Sequence, residues 1–154
     1  MKKQRRHLFV AALLLAAATV VGAEKPPHLN LSLKKDQLAV CQLPPDALLP
    51  AWACSPTAFS SISRTSEELS IVCLESVVPA GIKQELGWRI FKVDGPLDFA
   101  LTGILASVAD PLAKAGISIF AISTYNTDYV LVKNEKVDEA VKALKTAGHN
   151  VRID

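Results

Sequence analysis

The sequence predicts an α+β fold in which two helices cover an antiparallel sheet, and three observations support this. Apolar residues recur at helical spacing in two stretches, residues 101–112 and 137–144. Short β-rich runs lie before, between and after these stretches. The turns between the runs are polar or carry glycine or proline. Strands and helices in this order imply one sheet layer and one helix layer around a common core.

The first half of the chain is predicted to contain strands and little helix. Residues 38–43 form a short apolar strand. Four prolines between residues 44 and 56 confine any helix to residues 46–53. Two further strands, residues 59–64 and 69–75, are joined by a polar turn. This half is therefore a shortened unit.

The second half has a complete β-α-β-β-α-β order. Residues 88–93 form a strand, and Asp94-Gly95-Pro96 turns the chain into a helix with an apolar stripe. Pro111 should kink this helix or restart it, with Asp110 as the new cap. A hairpin over residues 117–133, a second amphipathic helix and a last strand complete the order. This is the order of the ferredoxin-like fold.

The predicted hairpin of the second half has a counterpart 60 residues earlier. Residues 62–72 align with residues 122–132 without a gap, and Glu68 then stands opposite Asp128. Each half contains a strand, a polar turn and a strand, which indicates a tandem arrangement with a degenerate first repeat. Chance similarity between two alternating hairpins is the alternative. The sheet face without helices must be covered too, and a second unit or a second chain is expected to cover it.

Residues 1–23 have the layout of a secretory signal peptide. Residues 1–7 are basic, residues 8–21 are predominantly apolar, and Val21-Gly22-Ala23 supplies small residues for cleavage. We therefore expect a secreted or periplasmic protein with an extended linker over residues 24–32. An uncleaved membrane anchor and a wrongly chosen start codon are the alternatives. A wrong start codon would leave the protein in the cytoplasm.

Without this leader the domain is slightly acidic. The leader holds four of the 17 basic residues and none of the 15 acidic ones, so 13 basic residues remain and the formal net charge is −2. The domain that remains has no cluster of Lys and Arg of the kind that binds nucleic acid. Nucleic acid is therefore disfavoured as a partner, and no membrane association is expected after the leader is removed.

No motif indicates an enzyme, a metal or a cofactor. The chain has no HExxH, GxSxG, P-loop or GxGxxG motif. Cys41, Cys54 and Cys73 are spaced too widely and irregularly for a metal site. Either Cys41 and Cys73 pair in an oxidising compartment or all three thiols are buried and free. A distant Ser or Cys nucleophile acting with His149 is the one route to catalysis left open.

Several segments resemble the ACT domain, a ferredoxin-like regulatory module that binds amino acids. The resemblance is to paired ACT units, as in the cytosolic arginine sensors of animals and the regulatory regions of aspartate kinases. It implies a degenerate unit over residues 33–86 and a complete unit over residues 87–154. The segments that carry the resemblance most strongly are residues 95–99, 103–106, 111–113, 116–118 and 122–128.

The resemblance implies that an amino acid binds between neighbouring ACT units, with its carboxylate on amides at the start of the first helix. Such amides have no partner within the helix and attract anions, and an aspartate accepts an ammonium group. Alternatively, Gly103 serves only helix packing and Asp128 only the hairpin turn. The candidate ligand-binding residues are Gly103, Ile104, Leu105, Thr124, Tyr125 and Asp128.

One departure from the arginine sensors concerns the ligand side chain. Leu101 stands where those sensors have the acidic residue that holds a guanidinium, so an apolar or smaller amino acid is expected here. The predicted function is an amino-acid sensor of ACT type. The protein is also predicted to be a dimer, because the arginine sensors contain more ACT units than this chain can. An interaction module that kept the fold and lost the ligand is the alternative.

Overall fold

The computed structural model describes residues 27–154, so the predicted signal peptide lies outside the described residues. Three short 3-10 turns accompany the strands and helices, at Ala51–Ala53, Glu75–Val77 and Asn134–Lys136. Neither helix among the described residues has the length and apolar character needed to cross a membrane. The elements are β1 (Asn30–Leu43), β2 (Ser61–Arg64), β3 (Leu69–Leu74), β4 (Lys83–Val93), α1 (Ile104–Lys114), β5 (Phe120–Ser123), β6 (Asp128–Lys133), α2 (Val137–Thr146) and β7 (Asn150–Ile153).

All seven strands belong to one sheet. Six follow the order β2-β3-β1-β4-β6-β5, and each neighbouring pair is antiparallel. The seventh strand, β7, pairs in parallel with the beginning of β1. From β4 onward the elements follow the predicted β-α-β-β-α-β order. The prediction of an α+β, ferredoxin-like fold is confirmed.

The two long strands β1 and β4 serve both halves of the molecule. The beginning of β1 pairs with β7, and Leu31 and Leu33 enter the core beneath α1 and α2. The end of β1 pairs with β3, and Ala39 and Cys41 enter a second core beneath the connecting loops. β4 pairs with β1 along both parts, with register shifts where the parts join. The two halves therefore share one central strand pair.

The sheet face opposite the helices is covered by the chain itself. Its core cluster contains Leu38 of β1, Ile90 of β4 and Leu131 of β6. Phe59, from the loop before β2, packs on Tyr129 with ring centroids 4.8 Å apart. β2 and β5 lie at opposite ends of the strand order yet line a common cavity, so the sheet curls around this cluster. The second face is therefore covered from within the described chain, and of the two expected solutions a second copy is not needed for it.

The hairpins of the two halves repeat each other exactly in length. β2, β3 and the turn Glu75–Val77 recur 59 residues later (120 − 61) as β5, β6 and the turn Asn134–Lys136. The offset of 60 predicted from the sequence is wrong by one residue. A slip of one residue exchanges the two faces of a strand, so Glu68 is not the structural counterpart of Asp128. Duplication as the origin of the repeat stays a prediction.

Three predicted boundaries differ from the structure. The helix expected over residues 46–53 is reduced to the 3-10 turn, because proline interrupts this stretch. β1 begins at Asn30, so the last residues of the expected 24–32 linker belong to a strand. The sequence did not predict this early start, because a polar run after Leu33 interrupts the apolar alternation of β1. In the structure, the Arg89 Nη2 donates to the Lys34 carbonyl within this run over 2.8 Å. β4 begins at Lys83, before the predicted start at residue 88, and pairs with β1 on both sides of a register shift.

α1 is one continuous helix although Pro111 lies inside it, so the expected restart with Asp110 as cap is wrong. Pro111 has no N–H to donate to the carbonyl of Ser107, four residues earlier. The buried His149 replaces this donor: its Nε2 donates to the Ser107 carbonyl over 2.8 Å. Its Nδ1 accepts from the Leu29 N–H over 3.2 Å. These two bonds require a neutral imidazole with its proton on Nε2.

We predict that His149→Ala lowers the free energy of unfolding by about 1–3 kcal/mol, because the buried Ser107 carbonyl loses its donor. Urea unfolding of the purified protein measures this change. In a Pro111→Ala background the new N–H of residue 111 reaches the same carbonyl, so His149→Ala should then cost clearly less. The bond to Leu29 is lost in both backgrounds and cancels. If His149→Ala lowers the free energy of unfolding equally in the two backgrounds, the His149 side chain does not replace the missing helix hydrogen bond.

Candidate functional site

A small cleft lies between the β4–α1 loop and the β5–β6 turn. Its volume is about 230 Å³, which suits a small molecule rather than a macromolecule. One wall is mostly apolar and comes from the loop and the first residue of α1. The other wall is mostly polar and comes from the hairpin turn. The lining residues are Leu97, Asp98, Phe99, Leu101, Ile104, Ser123, Thr124, Tyr125, Asn126, Thr127 and Asp128.

Backbone contacts hold the two walls together at the base of the cleft. The Leu97 N–H donates to the Asn126 carbonyl over 2.8 Å. The buried Thr127 hydroxyl donates to the Val93 carbonyl over 2.5 Å. Gly95 lies so close that a Cβ there would stand 2.8 Å from the Asn126 oxygen, so only glycine fits without a shift. The width of the cleft is therefore set by packed backbone.

The start of α1 presents free amide groups to this region. Gly103 precedes the helix with a left-handed backbone (φ 75°), and no side chain caps the helix there. The Ser107 N–H is the first to find a helical acceptor, the Gly103 carbonyl at 2.9 Å. Within residues 27–154, no oxygen accepts from the N–H groups of Ile104 and Leu105. Free donors at a helix N-terminus favour a bound anion.

Two carboxylates line the cleft, Asp128 on the turn wall and Asp98 on the loop wall. Asp128 is half-buried, and its Oδ1 accepts from the Ser123 hydroxyl over 2.5 Å. The Thr124 hydroxyl donates to the Thr127 carbonyl over 2.8 Å, which leaves its oxygen able to accept. The Oδ1 of Asp98 accepts from the Ala100 N–H of its own loop over 2.8 Å. The carboxylate of Asp128 is therefore held on the turn wall by a side-chain hydrogen bond.

Two exposed aromatic side chains meet across the mouth of the cleft. Phe99 from the loop and Tyr125 from the turn are 76% and 81% exposed. Their rings make an edge-to-face contact with centroids 5.1 Å apart. Leu101 lies beside them and is 53% exposed. Large apolar side chains clustered at a cleft mark a surface that contacts a ligand or a partner.

The structure brings the predicted site residues together in one place. Four of the six line the cleft directly: Ile104, Thr124, Tyr125 and Asp128. Gly103 and Leu105 do not line it but belong to the first turn of α1. Ligand binding by these residues stays a prediction.

Leu97 and Phe99 of the apolar wall were not predicted to lie at the site, whereas Leu101 was expected beside the side chain of the ligand. A signal for all three existed, because they lie in the segment 95–101 between the glycine-containing turn and the helix. The helical spacing of the sequence also assigned Leu101 to the stripe of α1. α1 begins at Ile104, which releases Leu101 to the cleft.

In the first half, the place equivalent to this cleft is occupied by a side chain. Arg64 corresponds to Ser123 by the 59-residue offset (123 − 64). Its guanidinium donates to the carbonyls of Pro45 and Ala47, in the loop that follows β1. No helix starts in that loop before the 3-10 turn Ala51–Ala53. The amide-rich cleft is therefore a feature of the second half of the described chain.

The cysteine thiols and His149, the residues considered for catalysis, lie apart from the residues that line this cleft. Cys41 and Cys73 are buried and free on the neighbouring strands β1 and β3, whereas Cys54 is free and exposed. Burial raises the pKa of the Cys73 thiol to about 11, and burial also raises the pKa of the Cys41 thiol. Both thiols are therefore protonated at neutral pH and are weak nucleophiles. The ring nitrogens of His149 are both bonded to backbone groups.

Two family models match the chain in adjacent stretches. The model described as the ACT domain matches residues 84–146, which include α1, the hairpin β5–β6 and α2. A second model, described as an N-terminal domain, matches residues 36–81. The two matches meet near the beginning of β4.

The chain is similar to proteins that sense arginine and to several solved structures. It is 41% identical over 59 residues to the human cytosolic arginine sensor for mTORC1 subunit 1, a stretch that covers 38% of this chain and 18% of that protein. The bovine protein matches equally. The chain thus spans less than a fifth of the length of these curated relatives.

Among solved structures, a protein of Agrobacterium tumefaciens is 37% identical, with a TM-score of 0.78 over 83% of this chain and 95% of that one. A Vibrio cholerae protein of unknown function, described as a possible transport protein, is 25% identical, with a TM-score of 0.63 over 77% of this chain and 89% of that one. The aspartokinase α and β subunits are 16% identical, with a TM-score of 0.56 over 79% of this chain and 98% of that one. This last likeness concerns the fold alone.

Proposed function

Residues 84–146 match the ACT domain, and on that premise we propose that the chain is a regulatory module that binds a small amino acid. The ligand occupies the cleft between the β4–α1 loop and the β5–β6 turn. One observation carries the proposal: free amides at the start of α1 and the carboxylate of Asp128 belong to the two walls of one small cleft. The similarity to the arginine sensors supports the same class of ligand.

The two ends of the cleft match the two charges of an amino acid. The amides of Ile104 and Leu105 would receive the carboxylate, since they carry the partial positive charge of the helix N-terminus. Asp128, held by the Ser123 hydroxyl, would receive the ammonium group. The Thr124 oxygen adds an acceptor beside it. This arrangement would orient a zwitterion by its two charged ends.

The apolar wall decides which side chain the cleft accepts. Leu97, Leu101 and Ile104 offer no acceptor for a guanidinium, and a buried cation without a partner is costly. We therefore propose an apolar or small amino acid as the ligand. The exposed pair Phe99 and Tyr125 would be covered by a neighbouring ACT unit, so that the ligand lies at the interface between units.

The second candidate is an interaction module that has lost its ligand. The exposed cluster of Phe99, Leu101 and Tyr125 favours it, because an apolar patch of this kind also suits a protein partner. The two candidates differ in one respect. Only the sensor is stabilised by a free amino acid.

We predict that an apolar or small amino acid raises the melting temperature of the purified protein by several degrees. A ligand at about a hundredfold its dissociation constant adds about 2.7 kcal/mol to the stability of the folded state. Asp128→Asn should abolish this shift, because it removes the charge while its amide oxygen can still accept from Ser123. A thermal-shift screen of the twenty amino acids makes the measurement.

The matched control is Glu67→Gln, which removes an exposed acid from the hairpin turn of the first half and should leave the shift unchanged. If no amino acid shifts the melting of folded protein at millimolar concentration, the sensor is refuted and the interaction module takes its place. Arginine should not rank first in the screen, because Leu101 replaces the acid that would hold its guanidinium. If arginine ranks first, the proposed ligand specificity is wrong, but the proposed sensor function is not.

We further propose that the protein is a dimer. The reason is no longer an open sheet face, since the sheet curls over its own core. It is the exposed rim of the cleft at Phe99 and Tyr125, which a second copy would cover. Multi-angle light scattering at micromolar concentration should give twice the chain mass, and Phe99→Ser should shift it toward the monomer. A strict monomer that binds an amino acid normally would refute the dimer.

Export is proposed from the succession of basic, apolar and small residues over residues 1–23. Intact-mass analysis of the protein purified from its native host should show a chain that begins at or near Glu24. Cleavage removes an apolar segment that has no place in a soluble domain. Recovery of the cytoplasmic protein with Met1 retained would contradict export.

A further inference from the structure

The two edge strands of the curled sheet border one cavity. β2 and β5 are the ends of the strand order, so each has one side without a strand partner among the described residues. Both strands, together with part of β3, line a cavity of about 260 Å³. Its lining residues are Ser61, Ser63, Ser70, Val72, Phe120, Ala121, Ile122 and Ser123. The cavity is therefore a slot between two unpaired strand edges.

The internal repeat explains why this slot is open. With the 59-residue offset, Ser61 and Ser63 of β2 are the counterparts of Phe120 and Ile122 of β5 (120 − 61). Phe120 and Ile122 pack against the core cluster on the inner face of the sheet. Serine at the matching positions fills far less volume and places hydroxyl groups there instead. Small polar side chains in place of large apolar ones leave a wet space beside the edge.

The free backbone groups of β5 follow from its hairpin. The Thr124 N–H donates to the Thr127 carbonyl over 2.9 Å, so this pair is hydrogen-bonded. Bonded and non-bonded pairs alternate along an antiparallel ladder. Ser123 and Ala121 therefore occupy non-bonded pairs with β6, and their N–H and C=O groups point away from it. These groups face the slot.

The same reasoning applies to β2 on the other side of the slot. The Thr65 N–H donates to the Glu68 carbonyl over 2.9 Å. Alternation then places Arg64 and Ile62 in non-bonded pairs with β3, so their backbone groups also point outward. Each edge of the slot thus carries outward-pointing backbone donors and acceptors at every second residue, as a strand-pairing edge does.

We propose that this slot binds an extended, uncharged peptide segment of a partner protein as an additional strand. Five successive antiparallel pairings connect β2 to β5, so the two edges run in opposite directions. An inserted strand is therefore antiparallel to one edge and parallel to the other. Backbone hydrogen bonds supply the affinity in such strand addition, and the pockets beside alternate side chains supply the selectivity.

The chemistry of the walls defines the partner segment. None of the lining residues is charged, so a charged side chain in the slot would lose water without gaining a partner. The one charged side chain on these edges, Arg64, is engaged by the carbonyls of Pro45 and Ala47. Edge strands of soluble proteins commonly carry lysine or proline as protection, and β5 carries neither. A segment of small and apolar residues without proline fits best.

The slot also adjoins the ligand cleft. Ser123 lines both cavities and donates to Asp128 in the cleft. A strand paired with the backbone of Ser123 would therefore contact the wall that holds the amino acid. The site is nevertheless separate from the cleft, because its walls come from β2, β3 and β5 rather than from the start of α1.

The test is a selection of phage-displayed random nonapeptides on the purified protein, followed by affinity measurement on synthetic peptides. Selected peptides should be uncharged, and Ala121→Pro should weaken their binding at least tenfold. Proline removes the outward N–H of residue 121 and leaves the ladder with β6 intact, a position that edge strands tolerate. Ala121→Thr keeps the N–H and is the matched control. Hydrogen exchange should show protection of the Ala121 and Ser123 amides by the peptide.

A second variant covers the case in which Ala121→Pro does not fold. Ser63→Ile places in β2 the residue that its counterpart in β5 carries, which should fill the slot, abolish peptide binding and raise the melting temperature. Failure to select any peptide, or peptides that bind Ser63→Ile as well as the parent protein, would overturn the proposal. So would a change in oligomeric mass on Ala121→Pro, since the slot would then be an interface between copies of the chain.

Discussion

The pairing of β1 with β4 is the constraint on which the rest of this structure depends. β1 supplies residues to the core beneath α1 and α2 and to the core beneath the connecting loops. β4 supplies residues to the first of these cores and to the cluster on the opposite face of the sheet. Separation of the halves would remove β1 from the core beneath the helices and divide the cluster on the opposite face, so we expect the halves to unfold together. The two halves of the described chain are therefore interlocked through the sheet rather than arranged one after the other.

On this common frame the two hairpins have taken different roles. In the second half, the loop after β4 leads into a helix that starts without a side-chain cap, and its first residue lines the same cleft as Asp128. In the first half, prolines shorten the helix and the guanidinium of Arg64 satisfies the loop carbonyls. Serines on β2 then leave space where β5 has large apolar residues. The first half therefore supports the sheet and borders a second surface.

Much of the fold and part of the site could be predicted, for reasons visible in particular residues. Alternating runs located both hairpins, and the apolar stripe located α1 and α2. The residues of the cleft lie within one short stretch of chain, so local motifs pointed to Thr124, Tyr125 and Asp128. The beginning of β1 was missed because a polar run interrupts its alternation, and Arg89 holds that irregularity from the neighbouring strand. A contact from another strand has no local signal.

The local features could be read from the sequence alone. They are the segments that form strands or helices, the polar turns between them, and the turn that precedes a helix whose first N–H groups have no acceptor. These follow from side-chain periodicity and turn chemistry, which act over a few residues. Only the tertiary structure decided that α1 continues through Pro111, because the missing donor comes from His149, 42 positions from Ser107. It also decided that the sheet curls over its own face, since curling depends on how distant strands pack. Long-range packing leaves no periodic trace in a single chain.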